Sequence, residues 1–371
     1  MTAAARVIAF VLLMIAGTTT AQQDITFDGK PARVIENDKL AMTLLSTGGA
    51  MVKLVRKDDP ENLNPLEGLG HFLCVDGFGS VSKEERAAGL PGHGEAYRAT
   101  WELQSTNRAD KVLAVVLGAT LPIVQERFRR TIRMVDGENV LYIDTEVESL
   151  LGFDRPINWA EHATIGGAFL EQGKTVTELS ATRSMTRPHE SPLPTPPLRH
   201  QLADGRPFSW PMAPTAAGST MDMRIAPTTT DIVDHTTSLM DPSRRLVFIT
   251  AFHPEKRALL GYVFRREEYP WTQIWDSYPG GGKRSYRGLE FSTQPFDLPR
   301  REVIQTNTMF DSPTYRWLPA TSTITSSFLL FYAATPEGFM KVDDVTLGEG
   351  SLTIEDRTSR KRIVLPVSRG L

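Results

Sequence analysis

Three short segments of the sequence contain side chains that could move protons. The first holds His93 between two glycines, which let the backbone approach a ligand closely. The second, residues 158–162, reads Asn-Trp-Ala-Glu-His and ends at His162, and the third contains Glu290 among apolar neighbours. Histidine exchanges protons near neutral pH, and a carboxylate among apolar neighbours either has a buried partner or acts as a base. Together these residue types favour general acid–base chemistry.

Each of the three segments also has a purely structural interpretation. His93 could stand in an ordinary turn, His162 could be a hydrogen-bonded core residue, and Glu290 could face solvent at a strand edge. The nearby Trp271 and Trp275 are four residues apart, so a strand would place both on one face. Their indole rings suit the apolar face of a sugar ring as well as they suit a hydrophobic core.

The segments that must position these residues read mostly as β-strands. Residues 139–148 alternate between apolar and polar side chains, which predicts a half-buried antiparallel strand. Residues 124–135 form another extended run, and an Asp-Gly pair predicts a hairpin turn between the two. Only residues 83–90 have a helical composition, and Pro91 ends that helix. Many strands and few helices predict an all-β protein, built as a large antiparallel sandwich.

Residues 188–227 stand apart from this pattern because they contain nine of the 25 prolines. Proline removes a donor from the hydrogen-bond ladder of a sheet, so this segment is predicted to be a long irregular excursion over the surface. It could also link two domains. Strand patterning on both sides of it favours the excursion, within a single domain that spans residues 22–371.

The N-terminus has the pattern of a signal peptide. Arg6 precedes the apolar residues 7–17, a run too short to span a bilayer comfortably, and small residues end at Ala21. We expect residues 1–21 to be removed, with a retained N-terminal anchor as the alternative. The mature chain is then expected to be periplasmic or secreted. No later apolar run is long enough to cross a membrane, so no membrane contact is expected after cleavage.

Composition argues against several other functions. The formal net charge of −3, from 41 basic and 44 acidic residues, disfavours nucleic-acid binding, which needs clustered Lys and Arg. Cys74 is the only cysteine, so no intrachain disulfide is possible, and a small buried hydrophobe is a commoner role for it than a reactive thiol. A metal site would require His93, Glu95, Glu161 and His162 to converge. No compact ligand spacing such as HExxH is present, and no metal is predicted.

In their order and spacing, the three segments resemble the aldose 1-epimerase, or galactose mutarotase-like, family. The matching positions are His93-Gly94, residues 158–162, and Leu289-Glu290 followed by Gln294. Residues 36–54 resemble the opening strands of the family, and residues 310–320 resemble its closing segment. The resemblance therefore extends over roughly residues 30–345.

This resemblance implies a large antiparallel β-supersandwich that binds a sugar in an open cleft and interconverts its anomers. Glu290 would remove the proton of the anomeric hydroxyl, His162 would protonate the ring oxygen from across the sugar, and His93 would hold sugar oxygens. Activity would rise as Glu290 ionises and fall as His162 loses its proton, which gives a bell-shaped pH profile. The predicted substrate-binding residues are Asn158, Glu161, Arg98, Trp271, Trp275 and Gln294. No metal or organic cofactor is implied.

The sequence also departs from the family pattern. Glu161 stands where the family has a second asparagine, and no arginine-rich motif precedes His93, which leaves Arg98 and Arg127 as substitutes for a sugar-binding arginine. These departures indicate a divergent, exported member. The leading hypothesis is an isomerase that acts on a small sugar or sugar derivative. The alternatives are a non-catalytic carbohydrate-binding protein of the same fold and a polysaccharide lyase, which would need a group that neutralises a uronate.

Overall fold

The computed structural model describes residues 22–189, 194 and 196–371, so the predicted signal peptide lies outside the described residues. Strands dominate this part of the chain. Its elements, in chain order, are β1 (Gln22–Phe27), β2 (Lys30–Glu36), β3 (Leu40–Leu45), β4 (Met51–Arg56), β5 (His71–Val75), α1 (Lys83–Ala87), β6 (Glu102–Ala109), β7 (Val112–Leu121), β8 (Glu126–Val135), β9 (Val140–Ser149), β10 (Arg155–Ile157), β11 (Trp159–Ile165), a 3₁₀ turn (Gly167–Phe169), β12 (Val176–Leu179), β13 (Ala181–Thr186), β14 (Pro207–Ser209), β15 (Met212–Pro214), β16 (Thr220–Asp222), β17 (Ile232–Met240), β18 (Leu246–His253), β19 (Ala258–Arg265), β20 (Trp271–Tyr278), β21 (Tyr286–Gly288), β22 (Glu290–Ser292), α2 (Arg300–Thr306), β23 (Thr308–Met309), β24 (Ser312–Pro313), β25 (Arg316–Leu318), β26 (Thr323–Ala334), β27 (Asp344–Gly348), β28 (Ser351–Asp356) and β29 (Lys361–Pro366).

Two large antiparallel sheets pack face to face over one extensive hydrophobic core. The larger sheet contains twelve of the described strands in the order β1-β2-β3-β4-β5-β11-β21-β20-β17-β13-β14, and β22 pairs with both β11 and β20. The smaller sheet contains eight, in the order β12-β18-β19-β26-β9-β8-β7-β6. This architecture confirms the predicted all-β antiparallel β-supersandwich.

The predicted hairpin is formed by β8 and β9, in which Met134 pairs with Leu141. Alternation along β9 directs Leu141, Ile143 and Val147 into the core between the two sheets. Each fully buried aliphatic side chain of this kind contributes roughly 1.5–3 kcal/mol to stability. A slip of one residue would turn all of them to the opposite face, so this burial also specifies the register of the strand.

The outer face of the smaller sheet is less polar than the sequence predicted. The C-terminal strands β27, β28 and β29 form a separate sheet that packs on it, and Val140 and Tyr142 are buried there. The Tyr142 hydroxyl donates a hydrogen bond to the Glu138 carboxylate at 2.6 Å. Further along β9, Glu146 and Glu148 form exposed ion pairs, as the alternation predicts. The polar face of β9 is therefore confined to one end of the strand.

The predicted helix is shorter than its sequence pattern. It begins after Ser82, whose side chain accepts a hydrogen bond from the Glu85 N–H in a capping box. It ends at Ala87, shortly before Gly89, which has a left-handed φ of 94°. The second helix, α2, was not predicted. No helix of the described residues has both the length and the apolar character needed to cross a membrane.

The described residues of the proline-rich segment, 188–189, 194 and 196–227, form loops and three short strands. Strand β14 pairs with β13 and thereby extends the larger sheet, while β15 and β16 form a small hairpin of their own. The first part of the segment folds back over the larger sheet, where the Gln201 N–H donates to the Asp234 carboxylate at 3.0 Å. The excursion is thus attached to the larger sheet at both of these points.

Candidate functional site

Strand β11 carries two of the predicted site residues on opposite faces of the larger sheet. Trp159 and Glu161 point into the core between the two sheets, while Ala160 and His162 lie on the face turned away from the smaller sheet. We call this second face the outer face. Successive side chains of a strand point to opposite sides, so Glu161 and His162 cannot belong to one site.

A cavity of about 400 Å³ lies on the outer face of the larger sheet, and we call it the central cavity. It brings together all three predicted catalytic residues, His93, His162 and Glu290. It also has aromatic walls. Its remaining lining residues are Leu69, Phe72, Phe78, Gly79, Ser80, Arg86, Gly92, Tyr97, His235, Trp275 and Asp297. Ionisable groups surrounded by aromatic rings suit a ligand that is polar at its edge and apolar on its face, as a sugar ring is.

Glu290 and His162 are in direct contact. Strands β22 and β11 are antiparallel neighbours that pair Phe291 with Glu161, so the adjacent residues Glu290 and His162 meet on the outer face. Glu290 Oε1 lies 3.2 Å from His162 Nε2. The prediction that these two groups face each other across a sugar is therefore wrong. Neighbouring strands of one sheet hold them side by side.

The positions of both groups are set by their surroundings. The His162 ring stacks on Phe72, with ring centroids 4.3 Å apart, and its Nδ1 lies 3.1 Å from the Thr164 hydroxyl oxygen. Gly288 makes space for the carboxyl of Glu290, since a Cβ at this position would lie 2.7 Å from Glu290 Oε1. The pair is thus oriented before any ligand arrives, as efficient proton transfer requires.

Burial determines where the proton of this pair resides. It raises the pKa of Glu290 well above its usual range, and the negative charge of Asp297 adds to the effect. It also lowers the pKa of His162 to about 3, with a further contribution from His93. Both shifts favour a protonated Glu290 carboxyl beside a neutral His162 imidazole.

His93 approaches the site from the loop that follows α1. Gly94 brings this loop close to β5, because a Cβ on Gly94 would lie 2.1 Å from the Val75 carbonyl oxygen. The His93 Nδ1 lies 2.9 Å from the Phe78 carbonyl oxygen, to which it donates, and Nε2 of the neutral ring remains an acceptor. Burial lowers the pKa of His93, which favours this neutral form. The Cys74 sulfur is buried 3.8 Å from the same Nδ1, in agreement with its predicted role as a buried residue.

Sequence reasoning missed a second ionisable cluster in the central cavity. His235 Nε2 lies 3.9 Å from Glu290 Oε2, and its Nδ1 lies 3.2 Å from an oxygen of Asp297. Arg187 contacts the same Asp297 oxygen at 2.5 Å. Although burial raises the pKa of Asp297, its contacts with His235 and Arg187 outweigh burial and hold this pKa below its usual range. His235 pairs with Trp275 across β17 and β20, a long-range contact that the sequence does not specify. Its position in a strand-like run was the one local sign of a fixed orientation.

Glu161, predicted to bind substrate, lies in the core instead. Its carboxylate accepts hydrogen bonds from Arg130 at 2.6 Å and from Trp159 at 3.3 Å, and lies 2.9 Å from His71 Nε2. Burial alone would raise the pKa of Glu161, but Arg130 and His71 outweigh it and hold the pKa below its usual range. The side chain has no access to the outer face, because the period of β11 directs it inward.

Most of the other predicted binding residues also lie outside the central cavity. Asn158 is buried and donates to the Thr314 carbonyl at 3.4 Å, and the backbone carbonyl of buried Gln294 accepts from Gln273 at 2.7 Å. Arg98 lines an adjoining cavity, and Arg127 forms an exposed ion pair with Glu148 on the smaller sheet. These side chains are held by packing and register that the sequence motifs do not encode.

The two tryptophans of β20 have different environments. Trp275 is half-buried and lines the central cavity. Trp271 is fully buried, and its indole N–H donates to the Pro313 carbonyl at 2.8 Å. The prediction that Trp271 contacts a ligand is therefore wrong, because the segment that contains Pro313 covers it.

The conceivable metal ligands do not converge. The carboxylate of Glu95 accepts hydrogen bonds from the backbone N–H groups of Ile123 and Val124, and that of Glu161 lies on the core side of β11. Among the described residues, no group of three or more His, Cys, Asp or Glu side chains could hold a metal ion. The central cavity offers proton-transfer groups and hydrogen-bonding groups.

Comparison with known proteins rests on structure alone. No protein-family model matches the chain, and no curated protein matches it. A putative aldose 1-epimerase from Klebsiella pneumoniae superposes with a TM-score of 0.58 at 13% identity, over 85% of this chain and 83% of that one. A galactose mutarotase-like protein from Clostridium acetobutylicum gives a TM-score of 0.58 at 12% identity, over 85% and 98% of the two chains. A putative mutarotase from Salmonella typhimurium gives 0.53 at 10% identity, over 85% and 94%.

Identities this low show a shared fold and nothing finer. The resemblance noted from the order of its sequence motifs agrees with all three structures. The chain has the β-supersandwich fold of the galactose mutarotase-like proteins.

Proposed function

We propose that the protein interconverts the anomers of a sugar by acid–base opening of the hemiacetal ring in the central cavity. The observation that supports this best is the buried contact between Glu290 and His162, beside His93 and His235 and between aromatic walls. The fold, shared with proteins named as a putative aldose 1-epimerase and a putative mutarotase, also supports a sugar as the ligand.

The proton shared by Glu290 and His162 provides the acid and the base together. Its transfer along the 3.2 Å contact produces a carboxylate and an imidazolium. The Glu290 carboxylate then takes the proton of the anomeric hydroxyl, and His162 gives its proton to the ring oxygen. The bond between the anomeric carbon and the ring oxygen breaks, and a carbonyl forms. Rotation about the adjacent carbon–carbon bond and the reverse transfers close the ring on its other face, which restores every proton.

The remaining groups of the central cavity bind and orient the sugar in this proposal. Nε2 of neutral His93 accepts a hydrogen bond from a sugar hydroxyl, and Trp275 stacks on the apolar face of the ring. His235 lies beside the second oxygen of Glu290 and is held there by Asp297. The site thus has donors and acceptors on more than one side of the reacting carbon.

The decisive substitution is Glu290→Gln, which keeps the size and polarity of the side chain but removes the base. If positioned proton transfer contributes its typical ~10²–10⁴-fold, turnover falls on this scale while sugar affinity is largely retained. NMR exchange between anomers, screened over common aldoses with the uncatalysed rate subtracted, measures it. Glu302→Gln, at an exposed position on α2, is the matched control.

Activity that survives in both Glu290→Gln and His162→Asn would contradict the assignment. Measurable sugar binding without activity on any aldose would instead identify the protein as a non-catalytic carbohydrate-binding protein.

We further propose that residues 1–21 are a signal peptide and that the mature protein is periplasmic or secreted. The support is the short apolar run of residues 7–17 followed by small residues up to Ala21. Mass spectrometry of the exported protein is expected to find Gln22 at the N-terminus. An intact Met1, or retention in the cytoplasm, would contradict it.

A further inference from the structure

A second cavity, of about 260 Å³, adjoins the central cavity. His235, Trp275 and Asp297 line both cavities and so form a wall that they share. The rest of the second cavity is built where the proline-rich excursion folds over the larger sheet, and includes Arg187, His189, His200 and Leu202. The central cavity therefore adjoins, at Trp275, a space that this excursion creates.

The surface of the second cavity combines flat rings with hydrogen-bonding atoms. His189 and His200 stack with ring centroids 4.1 Å apart and an interplanar angle of 14°. The His200 Nδ1 donates to the Val233 carbonyl oxygen at 2.7 Å, which leaves Nε2 for a ligand. Burial lowers the pKa of His189, which favours a neutral ring at that position. Such a surface matches the hydroxyl groups and ring faces of a sugar unit.

The charged side chains of this cavity are engaged in contacts within the protein. Asp234 accepts hydrogen bonds from the backbone N–H groups of Gln201 and Leu202, both at 3.0 Å. Asp297 contacts Arg187 at 2.5 Å and His235 at 3.2 Å. These charged groups of the described lining are already engaged within the protein, which suits a ligand that is polar but uncharged.

Building on the proposed function, we propose that the second cavity binds a second sugar unit, so that the substrate is a reducing disaccharide or longer oligosaccharide. The ring with the free anomeric hydroxyl occupies the central cavity, next to Glu290. The adjacent unit lies beyond Trp275, against His189 and His200. Ring opening takes place only at the reducing end, and the glycosidic bond stays intact.

A third cavity, of about 570 Å³, offers a rival direction for the chain of sugars. It adjoins the central cavity through Leu69 and Tyr97, on the side away from the proline-rich excursion. Its lining includes Lys30 and Arg98, two exposed cations. This wider, cationic space suits an anionic substituent better than an uncharged sugar unit, and substitution of Lys30 distinguishes the two directions.

The test measures calorimetric affinity in the Glu290→Gln protein, in which slow anomer exchange does not complicate binding. The probes are glucose, four reducing glucose disaccharides that differ in linkage, and the reduced alditol of glucose. At least one disaccharide is expected to bind about tenfold more tightly than glucose, equivalent to one or two additional hydrogen bonds. Adding His200→Phe, which keeps the stacked ring but removes Nε2, is expected to abolish most of this gain and leave glucose affinity unchanged. Adding Lys30→Ala is expected to change neither affinity.

Equal affinity for glucose and every disaccharide would overturn the inference, as would a gain that is lost in Lys30→Ala and kept in His200→Phe. Melting temperature checks the fold of each variant, and His189→Phe provides a second substitution if His200→Phe is unstable. The proposed function can fail separately. A disaccharide preference that depends on His200, together with no anomer exchange in the wild-type protein, would support the subsite and reject catalysis. If no sugar binds, both proposals are rejected.

Discussion

Two buried glutamates, one on either face of the larger sheet, have opposite chemical states. Glu161 lies in the core with Arg130, His71 and Trp159 as partners, and its pKa is held below its usual range. Glu290 lies on the outer face beside a neutral histidine and a second carboxylate, and its pKa is raised well above its usual range. Both side chains are almost completely excluded from solvent.

The contrast teaches that burial alone does not identify a reactive carboxylate. What separates the two is whether a fixed cation accompanies the buried charge. Arg130 makes Glu161 a permanent anion with a structural role. No Lys or Arg contacts Glu290 among the described residues, so its proton is exchangeable and its charge state depends on a ligand. Each of the following predictions tests one side of this contrast.

The largest effect is expected from Glu161→Gln. This substitution leaves the buried Arg130 without its counter-charge, and breaking a buried ion pair in this way costs about 3–5 kcal/mol of unfolding free energy. Denaturant unfolding measures the loss. Glu146→Gln, which breaks the exposed pair with Arg129, is the control and is expected to cost less than about 1 kcal/mol. Equal costs for the two substitutions would show that Glu161 is not the structural anion described.

The two tryptophans of β20 are expected to show the same contrast, with a structural role for one and a ligand-binding role for the other. Trp271→Ala removes a fully buried side chain and its hydrogen bond to Pro313, which is expected to cost about 3–5 kcal/mol of stability. Trp275→Ala is expected to leave the fold intact and weaken sugar binding about 2- to 10-fold, through lost stacking. Paired unfolding and binding measurements check both. Sugar affinity that is unchanged in Trp275→Ala would remove this residue from the site.

The pH dependence of activity sharpens the contrast for Glu290. The pair is competent while it holds one proton, between the pKa of His162 at about 3 and the raised pKa of Glu290. Below about pH 3, His162 takes up a second proton and the base is lost. Above the raised pKa, the only proton leaves and the acid is lost. The ratio kcat/KM is therefore expected to be flat between the limbs and to fall about tenfold per pH unit beyond each.

This assignment reverses the one expected from the sequence, in which Glu290 controls the acidic limb and His162 the basic limb. A kcat/KM profile that falls by about tenfold between roughly pH 6 and pH 4 would restore the original assignment. The uncatalysed rate at each pH is the control.

A further effect is expected on the pH dependence of stability. In the unfolded chain Glu290 ionises above its ordinary pKa of 4.5, whereas the folded protein keeps the carboxyl protonated up to its raised pKa. Wild-type stability contributed by this group is therefore present at low pH and is lost as pH rises, by about 1.4 kcal/mol for each pH unit between the two pKa values. Glu290→Gln has no such loss. Its melting temperature relative to wild type is expected to rise from about pH 4 to about pH 7, and a constant difference would show an unshifted Glu290.

The sequence motifs correctly predicted the fold and brought the three proposed catalytic residues to one cavity. They were less successful for the residues proposed to bind the substrate. The β8–β9 hairpin follows from local alternation and an Asp-Gly turn, so its prediction succeeded. The same alternation rule, applied to residues 158–162 as a strand, is enough to put Glu161 and His162 on opposite faces. Residue type suggested that Glu161 and His162 belong to one site, whereas the period of the strand excludes Glu161 from the central cavity.

The other errors concern contacts between distant parts of the chain. His235 reaches Glu290 only because β17, β20 and β22 are neighbours in the larger sheet, an order that no local pattern specifies. Trp271 is buried by a distant loop later in the chain, around Pro313. The second cavity depends on how the proline-rich segment folds back on β17. Propensity and period describe single strands, whereas these features depend on which strands become neighbours.

The labelling rate of the single thiol can be used to follow local opening of the structure beside the central cavity. Cys74 is the only cysteine of the chain, it is buried next to His93, and burial raises its pKa well above the usual range. Because Cys74 is buried, a thiol reagent can modify it only when the structure around it opens, so the labelling rate counts these openings. If a sugar binds against His93 as proposed, it is expected to slow labelling in proportion to its occupancy, and the rate then reports ligand binding without any turnover.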